Sequence, residues 1–253
     1  MIRQFSRRRF LASSIAASWV LTRPLAALGQ GSVKDRKTLD THVHLFGVGD
    51  GGSGCRLAKT RSQGPLFQLL LRKLRILERA KTLDEGYVLA LAEHLEKSGL
   101  TKGAVLAQDA VYDRHGKPDW GRTPFYVPND YLFDVVARIP ERMIPCVSIN
   151  PQRADAIDEL QRCATKGAKV LKSHPPIQGV DISDKRFAPF FRRCADLEIV
   201  VMVHTGHEHS APIISAALAD PRKLALALDN RRIRSIPWAT TYLSKTYLAN
   251  SFS

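Results

Sequence analysis

Leu39-Asp40-Thr41-His42-Val43-His44-Leu45, followed at once by Gly47, Gly49, Gly51, Gly52 and Gly54, is the stretch on which the reading of this chain turns. In an extended strand side chains alternate between faces, so His42 and His44 project to one side, about 6–7 Å apart along the backbone. From that spacing two imidazoles can grip one metal ion. The bland alternative is a solvated or hydrogen-bonded pair. Three features favour ligands: an acid two residues before the pair, an apolar strand-like context, and the glycine-rich loop that follows. A strand that ends in histidines and opens into such a loop matches the mouth of an α/β barrel, where reactive residues sit at the carboxyl ends of strands.

Outward from this stretch, short apolar runs alternate with helical patterns. Residues 101–108, 143–149, 168–172 and 199–203 read as buried strands. Residues 65–80 are leucine-rich at helical spacing, and Thr82-x-x-Glu85 is a capping box for a helix running to Ser98. Residues 128–139 form a helix with Asn129 as its cap, residues 153–166 carry Ala156, Leu160 and Ala164 on one face, and residues 184–197 are helical. Strand followed by helix, repeated, implies right-handed crossovers and a parallel sheet. The fold class is α/β, of the (β/α)8 TIM-barrel type, incomplete, with about five β/α units. Loops this long, at residues 47–64 and 109–127, tend to be functional. The first is expected to be mobile and to lie over the site. On the second, Trp120, Arg122 and Tyr126 either contact an aromatic carboxylate or pack the loop down.

The 253 residues are 44% hydrophobic, enough for a substantial core. Of the formal charge of +14, +7 falls in residues 1–38 and +4 in residues 230–253. The basic excess is therefore terminal and argues against a nucleic-acid surface. Ser6-Arg7-Arg8-Arg9-Phe10-Leu11, the apolar run of residues 11–21 and Ala27-Leu28-Gly29 have the charged, apolar and cleavable regions of a secretory signal, and the paired arginines resemble the twin-arginine type. The run is too short to span a bilayer comfortably. Residues 1–29 are thus predicted to be a signal cleaved before Gln30, with the protein exported to the periplasm and keeping no stable membrane span. Cys55, Cys146, Cys163 and Cys194 form no Cys-x-x-Cys and read as buried small hydrophobes.

Polar residues gather at the predicted strand ends. His42 and His44 close the first strand, Lys172 and His174 the fourth and His204 the fifth, with His207, Glu208 and His209 just beyond. In a barrel these ends converge on one rim. Three or more histidines with an open position suit zinc or another divalent ion, which lowers the pKa of bound water towards ~7 and polarises a carbonyl or carboxylate. That is equipment for hydrolysis or decarboxylation without a nucleophilic side chain.

Asp40-Thr41-His42-Val43-His44-Leu45, Pro140-Glu141-Arg142 before a strand ending Ser148-Ile149-Asn150-Pro151, Gly167-Ala168-Lys169-Val170-Leu171-Lys172-Ser173-His174-Pro175, and Val203-His204-Thr205-Gly206 resemble the amidohydrolase-related branch of the amidohydrolase superfamily. The resemblance runs from about residue 39 to residue 229. That branch includes aminocarboxymuconate-semialdehyde decarboxylase, resorcylate decarboxylases and pyrone-dicarboxylate lactonase. It implies a metal-dependent (β/α)8 barrel holding a divalent metal, with zinc the expected ion. His42 and His44 match the first-strand ligands and His204 the fifth-strand ligand. Lys172, His174 and His207 are assigned to a small, carboxylate-bearing substrate. Lys172 resembles the carbamylated lysine of binuclear relatives, but this branch works with one metal, which favours a phosphate- or carboxylate-facing lysine or a plain strand-end one. For His207, Glu208 and His209 a solvated loop is the default, and Asp40 is expected to brace the first strand.

The chain also departs from the family pattern. A full barrel has eight strands, whereas five are legible before Asp229. No histidine follows His209 and no acid follows Asp229, so the family's later-strand histidine and catalytic aspartate have no match and the catalytic base is unknown. Residues 39–229 read as a partial barrel and residues 230–253 as an aberrant basic tail without strand–helix rhythm. Beside a metal-dependent hydrolase (C–N, ester or lactone bond) or decarboxylase, two readings stay open: a truncated or frame-shifted non-catalytic remnant, and a metal-binding module. An unclosed sheet would expose an edge open to self-association.

Overall fold

Alternation along the strands sorts side chains onto two faces, and this sorting builds the molecule. The computed structural model describes residues 38–58, 64–208, 211–228 and 235–239. The predicted signal, His209 and most of the basic tail lie outside them. The strands are β1 (Leu39–His44), β2 (Arg56–Leu57), β3 (Lys102–Leu106), β4 (Phe125–Tyr126), β5 (Met143–Ser148), β6 (Val170–Ser173), β7 (Val200–Thr205) and β8 (Ser235–Ala239). The helices are α1 (Pro65–Lys73), α2 (Ile76–Arg79), α3 (Leu83–Lys97), α4 (Asn129–Arg138), α5 (Ala156–Thr165), α6 (Pro175–Gln178), α7 (Ala188–Asp196) and α8 (Ala225–Leu228).

Six strands form one sheet in the order β1-β3-β5-β6-β7-β8, each neighbouring pair parallel. β2 and β4 make a separate antiparallel pair. Each strand is laid beside its predecessor with helix between, which is the winding of a (β/α)8 barrel. The result is an incomplete, curled parallel sheet with flanking helices. β8 continues this winding inside the stretch where the sequence shows no strand–helix rhythm. It contains Pro237 and pairs only with β7 among the described residues, and such an edge position tolerates a proline.

On one face of the sheet, Val43, Leu45, Val105, Val147, Leu171, Val201 and Val203 share a continuous core with Val88 and Leu95 of α3, Leu132 and Val135 of α4, Leu160 of α5 and Phe190 of α7. Burial of each such side chain contributes roughly 1.5–3 kcal/mol. The other face holds a separate small cluster of Leu106, Cys146 and Met202 with Val170. Pairing places Leu106 beside Cys146 and Cys146 beside Val170. Towards the carboxyl ends this inner face turns polar, with Ser148 beside Lys172. All four cysteines are free and buried.

Several local expectations change. Residues 65–80 form two helices, α1 and α2, because the chain breaks at Arg75 with a left-handed φ of 52°. Asn129 is not the cap of α4. Its amide instead donates to the Ser148 carbonyl (3.1 Å) and accepts from the Ser148 N–H (2.9 Å), stitching the helix start to the end of β5. The glycine-rich loop, expected to be mobile, is tied to α3 over its first part. Asp84 accepts from the N–H of Val48 (2.6 Å) and Gly49 (3.1 Å) and from the Ser53 hydroxyl. Asp50 accepts in turn from the N–H of Leu83 (2.7 Å) and Asp84 (3.1 Å), so each carboxylate serves the other's segment. On the second loop Trp120 lies edge-on to Tyr126 with the Arg56 guanidinium 4.2 Å above its ring, and Arg122 pairs with Asp119. In this structure those side chains pack the loop down.

Candidate metal centre

The first histidine pair is aimed by a bulge. Asp40 pairs with Gly103 and Val43 with Val105, so β1 spends three steps where β3 spends two. An extra residue of this kind turns a strand locally and re-aims a side chain. The Asp40 carboxylate accepts the His42 N–H at 2.9 Å, supplying the partner at the bulge. The rings converge beyond what a flat strand gives: their centroids are 4.7 Å apart and their Nε2 atoms 2.9 Å apart. One Nε2 therefore carries a hydrogen and the other a lone pair. Tyr87 of α3 donates its hydroxyl to the His44 carbonyl (2.7 Å), anchoring the strand end.

The second group comes from the ends of β6 and β7. His174 and His204 stack with ring centroids 4.2 Å apart. Gly206, with φ of 87°, turns the chain after β7 and brings Glu208 back against both rings. Glu208 Oε2 lies 2.9 Å from His174 Nε2 and 3.8 Å from His204 Nε2, and the Glu208 side chain is only 6% exposed. One ligand atom from each of His174, His204 and Glu208 falls within 4.8 Å of the others. Among the described residues, Lys172, 1% exposed, has no hydrogen-bond partner for its Nζ, and the Nδ1 of His174 has none either.

These groups set one another's protonation. Burial pulls His174 down to about 3, opposed by its hydrogen bond to Glu208 and reinforced by Lys172. Burial and then Lys172 pull His204 down to about 4, with Glu208 opposing. His42 is lowered by burial, then by Lys172 and the neighbouring histidines. His44 is lowered in the same order by crowding protein atoms and Lys172. Its edge is open to solvent, which weakens the desolvation. Burial also brings Lys172 down to about 8. Neutral imidazoles offer lone pairs, so this donor set of histidines with one buried carboxylate suits a divalent metal ion.

The family pattern of the amidohydrolases matches residues 40–233. The chain belongs to the amidohydrolase family. Among solved structures, this chain is similar to an uncharacterized TIM-barrel protein from Bordetella bronchiseptica, with TM-score 0.54 and 18% identity over 80% of this chain and 66% of that one. It also aligns with 4-oxalomesaconate hydratase from Rhodopseudomonas palustris (TM-score 0.47, 13% identity, 79% and 62% coverage). A third alignment is to 5-carboxyvanillate decarboxylase from Novosphingobium aromaticivorans, a structure with bound manganese (0.46, 19%, 79% and 57%). The chain thus spans 57–66% of the length of these three structures. No curated protein matches it in sequence.

Of the residues singled out in the sequence, His42 and His44 stand together on β1, while His204 stands with His174, which had been assigned to substrate. Lys172 lies buried between its neighbours on β6, and its charge acts on all four histidines. His207 is exposed. Glu208 is the residue that sequence reasoning set aside as solvated. Its signal was available in its position four residues after a strand-end histidine, across a glycine able to reverse the chain.

Proposed function

We propose that this chain is a metal-dependent hydrolase or decarboxylase acting on a small substrate that bears a carboxylate. The observation that carries the reading is Lys172, a buried ammonium that has no hydrogen-bond partner among the described residues and acts on four histidines at the strand ends. A divalent ion bound there, zinc being the expected one, supplies Lewis acidity towards a carbonyl or carboxylate oxygen and lowers the pKa of its water. His42, His44 and His204 are the ligands assigned from the family pattern. Their depressed basicity keeps lone pairs available at neutral pH. Lys172 would hold the substrate carboxylate, because a buried cation without a hydrogen-bond acceptor gains most from an anion in low dielectric.

The test is turnover by the purified full chain loaded with Zn2+ or Mn2+, offered an ortho-hydroxybenzoate and a carboxylated lactone. Activity abolished by chelator, and reduced at least about a hundredfold in Lys172→Met, supports the reading. A chain that holds its ion yet turns over neither probe refutes it. We further infer export through residues 1–29, a reading that rests on the sequence. A reporter fused to those residues should reach the periplasm, and Arg8→Lys with Arg9→Lys should retain it inside the cell.

A further inference from the structure

We propose that Glu208 and His174 are themselves metal ligands, so that the ion held by His204 takes its carboxylate from the loop after β7. This rests on the reading of the site as a metal centre and adds two donors to it. The side chains of His174, His204 and Glu208 are 3%, 1% and 6% exposed, so the cluster is built into the interior. The spacings of Glu208 Oε2 to the two Nε2 atoms, 2.9 and 3.8 Å, fall in the range of about 3–4 Å that separates neighbouring donors around one divalent ion with bonds near 2.1 Å. The rings stack, 4.2 Å apart at 28°, and each has its Nε2 within 4 Å of Glu208 Oε2. Gly206 brings the carboxylate into place, and its N–H is held by the Ala219 carbonyl at 3.0 Å. The position of Glu208 is therefore fixed from both sides of the turn.

The experiment is equilibrium binding of Co2+ to the full chain, read by chelator competition and by the visible spectrum of the bound ion. The wild type is compared with Glu208→Gln, Glu208→His, His174→Ala and the exposed-site control Glu141→Gln. Glu208→Gln keeps the side-chain shape and removes the anionic donor. Affinity should fall about a hundredfold or more in Glu208→Gln and His174→Ala, with a changed spectrum, and stay unaltered in the control. Glu208→His replaces one donor by another and should recover most of the affinity with a spectrum shifted towards nitrogen ligation. It also covers the case in which Glu208→Gln fails to fold. Wild-type binding with unchanged affinity and spectrum in folded Glu208→Gln or Glu208→His would overturn the proposal and leave the metal centre standing. Absence of any Co2+ binding by the wild type would overturn the metal centre itself, and the proposal with it.

Discussion

Asp40 shows how much one side chain can decide. A strand that kept perfect alternation would hold His42 and His44 side by side at the pleat spacing. The added residue between Asp40 and Val43 lets the two Nε2 atoms approach to 2.9 Å, and the carboxylate satisfies the His42 N–H there. Asp40→Ala should lower Zn2+ affinity about tenfold by loosening that aim, and lower stability by about 1 kcal/mol. Asp40→Asn keeps an acceptor oxygen and should restore most of both; chelator competition and thermal unfolding provide the measurements. Asn129 is a second case. Its buried amide bonds both backbone groups of Ser148 and donates to Glu159, so Asn129→Ala removes three buried hydrogen bonds. Urea unfolding should register a loss of about 2–4 kcal/mol.

At the scale of elements, close approach of backbones matters more than propensity. α3 packs against α2 through Gly86, where a Cβ would stand 2.3 Å from the Ile76 carbonyl oxygen. In an isolated helix Gly→Ala gains about 1 kcal/mol. Here Gly86→Ala should instead destabilise by about 1–3 kcal/mol, because the backbone of α2 must move. Unfolding midpoints above that of the wild type would contradict this packing. The same contact, with the left-handed Arg75, explains why residues 65–80 do not run as one helix. α2 has to turn to lie across α3, and no local pattern of leucines records that demand. The reciprocal capping by Asp50 and Asp84 is equally hidden, since it joins segments more than thirty residues apart.

For the molecule as a whole, the buried histidines link stability to pH. His174 and His204 sit at about 3 and about 4 in the fold, below the ordinary value near 6.5. The unfolded chain then binds protons more readily than the folded one as the pH drops below about 6.5. Their contribution is complete above that value and declines as pH falls towards the folded pKa values. At pH 5 the metal-free protein should have lost about 2 kcal/mol for each of the two, seen as a lower urea midpoint than at pH 7.5. A flat profile between those pH values would show that the rings are charged or solvated in the fold. Saturation with Zn2+ at a hundred times its dissociation constant should add about 2.7 kcal/mol at pH 7.5.

The sequence by itself determined the strand–helix alternation, the parallel sheet and the placing of His42, His44, Lys172, His174 and His204 at strand ends. Those are consequences of local periodicity, and a local signal survives in a string of letters. Only the tertiary structure decided that β8 joins the sheet within the basic tail, that a bulge aims His42, and that Glu208 turns inward onto His174, thirty-four residues away in sequence. It alone also left Lys172 buried without a hydrogen-bond partner among the described residues. The physical reason is common to all four: each depends on which distant groups share a low-dielectric interior, and that is set by the packing of the whole sheet.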